Sequence, residues 1–435
     1  MLSFALFYPY FTIFTRDKTT SIRTVEMMKI LHTADWHLGK RLNDYSRLKE
    51  QEDVLNEICE IAEREGVDAV IIAGDLFDTF NPASEAVELF YKTVCRLAAG
   101  GQRAVVAIAG NHDSADRIEA PDPMARACGI IFCGRPISSP QTFHLDTGLA
   151  LVKSTPGYIE LQLPKQKWPL RIIVTPYANE QTMKQFLGTG DREEALRSLV
   201  EKTWREIADT YCDDKGVNIL MAHLYVMEKG GPQPEEPEDE KPILHMGGAQ
   251  AIFTESIPEH VQYAALGHLH RYHWVGKAHC PVVYSGSPLG YSFSEAHQQK
   301  QVILIEAEPT EQVKVKAIPL ASGRKLVKKR FEAVDEALLW LEENPNTYVE
   351  LTLQSDTYID AKTKKALFQA HDGIVNIIPA FTSNFEPKNT KPVAEFTDIR
   401  KAFKDYFNAR KGQDPDQALM EVFNEVLDLS NEEPQ

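Results

Sequence analysis

The sequence has no apolar run near the roughly 18 residues that a membrane-crossing helix needs, so nothing in it reads as a span. Thiols are few and scattered. The six cysteines include no Cys-x-x-Cys pair, and only Cys128 and Cys133 are near neighbours, which argues against a zinc-thiolate site or disulfide framework and for reduced packing cysteines in the cytoplasm. No Walker A sequence and no internal repeat occur. Positive charge is also short, with 47 Lys and Arg against 63 Asp and Glu and a net charge of −16, which disfavours tight non-specific DNA binding by the chain alone. What remains is an ordinary globular composition of 435 residues, 43% hydrophobic and 25% charged, enough for two or three domains.

The first 27 residues stand apart. Leu2 to Phe14 is apolar and aromatic, but Pro9 interrupts it, no basic residue precedes it and no small-residue cleavage site follows, so a signal peptide is not indicated. The first strand pattern begins at Met28-Lys29-Ile30. Residues 1–27 are therefore expected to be a non-native or disordered extension, with translation starting at Met27 or Met28.

Five short apolar runs then end in metal-capable side chains. Lys29 to Ala34 leads into Asp35-Trp36-His37, Ala69 to Gly74 into Asp75, and Ala104 to Gly110 into Asn111-His112-Asp113; further on, Ile219 to Ala222 reaches His223, and Tyr263 to Gly267 reaches His268-Leu269-His270. Such runs look like buried strands whose carboxyl ends open onto one rim, where α/β sheets bind ligands. Asp35, His37, Asp75, Asn111, His223, His268 and His270 supply oxygen and imidazole ligands without sulfur, too many for one ion. That set suits two ions of Mn²⁺, Fe²⁺ or Zn²⁺ and, by charge counting, leaves net positive charge for a phosphate and a hydroxide. His112 lies too close to Asn111 along the strand to ligate the same ion. It is expected to give a proton to the leaving oxygen or stabilise transition-state charge, with Asp113 fixing its tautomer and raising its pKa.

The series Asp-x-His, Gly-Asp, Gly-Asn-His-Asp, Ala-His and Gly-His-x-His, with Tyr284-Ser285-Gly286-Ser287-Pro288, resembles the calcineurin-like metallophosphoesterase superfamily, and within it the nuclease subunits of DNA-repair complexes. The resemblance covers about residues 28 to 435, with specific motifs in the first two-thirds. It implies an α/β, two-sheet metallophosphoesterase sandwich flanked by helices, with a small α+β capping domain and a helical C-terminal tail. It also implies that Asp75 bridges two divalent ions, Mn²⁺ before others, with Asp35, His37 and His270 on one and Asn111, His223 and His268 on the other. The implied activity is 3′–5′ exonuclease and hairpin endonuclease cleavage of double-stranded DNA, in a homodimer bound to an ABC-type ATPase with a coiled coil. Asp78 departs from some repair nucleases, which have a histidine there. Asp78-Thr79-Phe80 also stands where the superfamily's protein phosphatases have Asp-Arg-Gly, which weakens the phosphatase reading; the alternative remains a nucleotide phosphodiesterase or phosphatase of the same fold, distinguished by lacking the DNA-facing cap and helical tail. A catalytically dead scaffold of the same fold would have lost ligands that are all present here.

The remaining pattern divides the chain into a phosphoesterase domain at 28–320, a cap at 321–392 and a partner-binding tail at 393–435. In the first, helices are expected over Ser46–Glu65, from Asn81-Pro82 onward, around Asp116 and Met124, and over Glu193–Thr210, with strands through 141–177 and near 301–306 and 313–318. The acidic Glu235–Glu240 stretch reads as a solvated loop, and His245 beyond it as structural, with contact to substrate as the alternative. Arg324 to Arg330 places five basic residues in seven between domains, a candidate for phosphate-backbone contact. In the cap, helices are expected over Ala333–Glu342 and Ala361–Ala370 and strands over Tyr348–Leu353 and Ile374–Pro379. In the tail, Phe396, Ile399, Phe403 and Phe407, then Leu419, Val422, Phe423 and Val426, form two helical stripes that want a partner surface.

Overall fold

The computed structural model describes residues 27–183, 192–232, 251–355 and 359–381, and singly 403, 404, 407, 415, 419, 420 and 423. The extension 1–26, the acidic 235–240 loop, His245 and most of the tail lie outside the described residues. The chain forms two compact units, Met1–Leu353 with Asp360–Ile378, and Gln354–Ile359 with Pro379–Gln435. In the second, the Phe403 and Phe423 rings stack with centroids 3.9 Å apart.

Two sheets build the core of the first unit. One runs Lys314–Pro319, Gln301–Ala307, Met28–Thr33, Ala69–Ala73, Ala104–Ile108 and Ile130–Cys133 from edge to edge. Its last four strands are parallel, and Gln301–Ala307 closes antiparallel on Met28–Thr33. The central strands are buried on both faces, which is why they read as unbroken apolar runs. The other sheet runs His273–Trp274, Val282–Tyr284, Tyr263–Gly267, Val217–His223, Leu170–Thr175, Tyr158–Gln162, Ala150–Thr155 and Phe143–His144. Ile30, Ile71 and Val106 of the first sheet share one cluster with Ile172, Ile219 and Ala265 of the second. The two-sheet sandwich expected from the sequence is thus present. The ligand-bearing strands are split between its layers rather than aligned in one sheet.

Helices cover the outer faces. Leu48–Arg64 buries Val54, Leu55, Ile58, Ile61 and Ala62 at helical spacing, and Gly66 follows it at φ +66°. Ser84–Ala98 buries Phe90, Val94 and Leu97 beside it. It begins at Ser84, not at Asn81-Pro82, because Ala83 is still extended (φ −65°, ψ 151°) and serves as the N-cap. Arg192–Tyr211 covers the second sheet, where Trp204 donates to Thr175 Oγ1 at 2.8 Å.

The basic run is not a linker. Lys325–Phe331 is the edge strand of a three-stranded sheet with Thr347–Ser355 and Ile374–Phe381, accompanied by helices Val334–Glu343 and Ala361–Ala370. Much of its charge is engaged locally: Arg324 pairs with Asp372 at 2.9 Å, Lys328 with Glu350 at 3.6 Å, and Lys329 lies over Trp340. Leu326 and Tyr348 of this sheet pack with Leu42 and Phe293, the Arg47 guanidinium lies over Tyr348, and the segment leading into the sheet is tied to helix Leu48–Arg64 by Glu57, which accepts from the Ala321 and Ser322 amides. Among the described residues no helix is long and apolar enough to cross a membrane.

Candidate metal centre

All seven expected ligands come together where the carboxyl ends of five strands, three from one sheet and two from the other, face each other. Asp35 and His37 follow Met28–Thr33, Asp75 follows Ala69–Ala73, and Asn111 follows Ala104–Ile108; His223 ends its strand, and His268 and His270 follow Tyr263–Gly267. Two loops are zipped together by Asp35 N donating to Gly74 O at 3.0 Å and His37 N to Asp75 O at 2.9 Å. Asp35, His37, Asp75 and His268 all have positive φ, a costly backbone for residues with a β-carbon and one that aims their side chains inward. Gly74 is required by close approach: at φ +92°, a β-carbon there would lie 2.2 Å from His223 Nδ1.

Asp75 is the hub. One group of possible ligand atoms comprises His37, Asp75 and His112, another Asp75, His223 and His268, each within 4.8 Å and all buried. Asp75 Oδ2 lies 3.5 Å from His37 Nε2 and 3.3 Å from His223 Nε2, while Oδ1 accepts from His112 N at 3.0 Å. His270 Nε2 meets His37 Nε2 at 2.9 Å, and His223 Nε2 meets Asn111 Oδ1 at 3.0 Å. Asp35 Oδ1 accepts from His268 N at 2.8 Å. The buried Asp35 Oδ2 and Asp75 Oδ2 atoms accept no hydrogen bond. Unsated carboxylate oxygens beside convergent imidazoles, with no thiolate, fit divalent cations.

Groups stand behind three of the imidazoles, one at hydrogen-bond distance and two carboxylates at longer, electrostatic range. His223 Nδ1 faces Ala73 O at 2.9 Å, His37 Nδ1 lies 3.8 Å from an Asp78 carboxylate oxygen, and His270 Nδ1 lies 3.7 Å from Glu295 Oε1. In the sequence Asp78 stood out only as a departure, and Glu295 did not stand out at all. Its signal was Ser292-x-x-Glu295, a capping box that the structure forms. The expected pairing of Asp113 with His112 is not made. Asp113 accepts from the Gly110, Leu76 and Phe77 amides, stapling one ligand loop to another, and His112 Nδ1 instead donates to Asp78 O at 2.8 Å. A carboxylate offered three buried amides stays with them, because leaving those donors unpaired would cost more than one imidazole contact returns.

The charges are interdependent. Burial, reinforced by Asp75, pushes Asp35 up to about 7 against the pull of His223 and His270. Burial would raise Asp75 too, but His223, His37 and His112 hold it far below the usual carboxylate range. Burial would lower His223, yet Asp75 and Asp35 raise it to about 9. His32, buried behind the site against the Tyr263 hydroxyl, is lowered by burial to about 3. Glu295 is held below its usual range because Lys300 and His270 outweigh its burial.

These shifts fix a pH dependence for the metal-stripped chain. The stability that Asp35 and His223 supply as protonated groups is present at low pH and is lost as pH rises through about 7 and about 9 respectively. His32 acts oppositely, losing stability as pH falls below its unfolded value of about 6.5 toward 3. In EDTA, the melting temperature is therefore expected to fall from pH 6.5 to 9. A steady rise over that interval would contradict the charge assignment.

Fold and site together define a metal-dependent phosphoesterase. Residues 28–272 match the family model described as calcineurin-like phosphoesterase. Three relatives are described as SbcD, the D component of the nuclease SbcCD. The one from Bacillus subtilis is 34% identical over 414 residues, covering 93% of this chain and 99% of the relative. That from Rhodobacter capsulatus is 33% identical over 64% of this chain and 66% of its own length, and that from Staphylococcus epidermidis 27% over 92% and 99%. The chain belongs to the calcineurin-like phosphoesterases and, within them, to the SbcD family.

Proposed function

We propose that this chain is the metal-dependent nuclease subunit of an SbcCD-type DNA-repair complex, hydrolysing DNA phosphodiester bonds at the cluster centred on Asp75 with two Mn²⁺ ions. The observation that carries this reading is the sharing of Asp75 by two buried ligand groups in a chain of this family. Asp35, His37, Asp75 and His270 would hold one ion, and Asp75, Asn111, His223 and His268 the other. Such ions supply a deprotonated water near neutral pH and compensate the phosphate's charge. The chain's own part is to fix these ligands through strained backbone and second partners, and to present His112. With Nδ1–H donating to Asp78 O, a His112 imidazolium would carry its second proton on Nε2, and that is the proton to be delivered to the leaving oxygen.

Partners follow the same reading. The substrate is double-stranded DNA ends and hairpins, cut as a 3′–5′ exonuclease and an endonuclease. The tail at 393–435 binds an SbcC-type ABC ATPase with a coiled coil, and two copies form a homodimer within a cytoplasmic heterotetramer. The cap at 321–392 steers DNA. Since Arg324, Lys328 and Lys329 are engaged within it, attraction for DNA is expected to come chiefly from the metal centre and the ATPase.

The test is hydrolysis of linear double-stranded DNA and of an aryl phosphodiester by the purified chain with Mn²⁺, with and without the ATPase. DNA cleavage is expected, stimulated by the partner. Cleavage of the small diester alone under every condition would favour a nucleotide phosphodiesterase or phosphatase instead.

A further inference from the structure

Glu295 is a buried carboxylate whose position is fixed from three directions. It closes the short helical turn Phe293–Glu295, where Oε1 accepts from Tyr291 N at 2.9 Å and Ser292 N at 3.1 Å. Oε2 takes the Lys300 ammonium, which also donates to His270 O at 2.8 Å and Ser287 Oγ at 3.0 Å. Lys300 therefore grips both the carboxylate and the backbone of the residue beside it. The outcome is a carboxylate oxygen 3.7 Å from His270 Nδ1, longer than a hydrogen bond but close enough for its charge to favour the hydrogen on that nitrogen, on the side of the ring opposite the Nε2 that meets His37. The turn is itself anchored, because Phe293 packs with Leu42, Leu326 and Tyr348.

We infer that Glu295 is the positioning residue for His270: it holds the Nδ1–H tautomer and ring orientation that leave the Nε2 lone pair facing the centre, with Lys300 as its clamp. The inference rests on the proposed assignment of His270 as a ligand. A carboxylate behind a ligating imidazole fixes its tautomer and increases its basicity, and removing such a partner typically costs about 10–100-fold in metal affinity. A merely structural role for Glu295, as the cap of its turn, would act on folding and not on one ion selectively.

The experiment titrates Mn²⁺ into the full-length metal-stripped chain, following free Mn²⁺ by EPR, for the wild type, Glu295→Gln and Glu295→Ala. Melting temperatures are taken in EDTA. Glu295→Gln keeps an acceptor for the Tyr291 and Ser292 amides but removes the charge that Lys300 and His270 share. Two sites are expected in the wild type, with one weakened about 10–100-fold in Glu295→Gln and the other unmoved. Glu295→Ala should show the same selective loss, and if it fails to fold, Glu295→Gln decides. Two wild-type sites unaltered in Glu295→Gln would overturn the inference and leave the dinuclear reading standing, as would equal weakening of both sites with a lowered melting temperature. A wild type that takes up no Mn²⁺ would overturn both.

Discussion

Replacing His112 by alanine is expected to lower kcat for phosphodiester hydrolysis by about 10²–10⁴-fold, the usual contribution of a positioned proton donor, while Mn²⁺ stoichiometry stays at the wild-type value. The two effects separate because His112 engages the site through two atoms. Its backbone N donates to Asp75 Oδ1 at 3.0 Å, and this bond survives the substitution and keeps the hub carboxylate seated. Its ring, held by Asp78 O, stands edge-on to His37 with centroids 5.0 Å apart and would contribute the proton in the proposed reaction. KM should change little. The competing possibility is built into the geometry, since His112 is one of the groups able to hold an ion with His37 and Asp75. Loss of one Mn²⁺ equivalent in His112→Ala would make the imidazole a ligand and would end its assignment as the acid.

How far the sequence foretold this site depends on whether the relevant interaction is local. The ligand runs were legible because parallel strands buried on both faces must be apolar throughout, so an abrupt Asp, Asn or His at their ends stands out. Helices read well for a similar reason: Ala361–Ala370 was expected over the same residues, and the first crossover helix, Leu48–Arg64, falls inside the expected Ser46–Glu65. Distribution of the ligand strands over two sheets was not legible, since Val217–His223 and Tyr263–Gly267 pair with each other over more than 40 residues of separation. Asp113 fails for the same reason. Its neighbour in sequence is His112, but its partners in space are the Leu76 and Phe77 amides, 37 and 36 residues away. Positive φ at Asp35, His37, Asp75 and His268 has no sequence signature, because these residue types favour other backbone regions and are held there only by the surrounding loops. The basic run misled because its charge suggested an exposed connection, while the Leu326 and Val327 within it fit a strand.

Asp75→Asn is expected to be the most damaging single change, lowering hydrolysis by at least about 10³-fold, or about 4 kcal/mol of transition-state stabilisation. The substitution is nearly isosteric, so its effect is electrostatic. An asparagine can keep an oxygen toward His112 N, but its amide nitrogen then occupies the position of Oδ2, between His37 Nε2 at 3.5 Å and His223 Nε2 at 3.3 Å. A neutral donor there cannot be shared by two cations, and only Asp35 remains to offset their charge. Mn²⁺ stoichiometry should fall from two to one at most, in contrast to His112→Ala. The metal-stripped variant offers an independent readout. Asp75 is the main charge raising His223 to about 9, so without it the buried imidazole returns toward neutrality near pH 7 and its share of the stability lost between pH 6.5 and 9 disappears. The slope removed is at most one proton's worth, about 1.4 kcal/mol per pH unit. A variant that bound two Mn²⁺ with wild-type affinity, or kept the wild-type alkaline slope in EDTA, would show that Asp75 is not the hub of this centre.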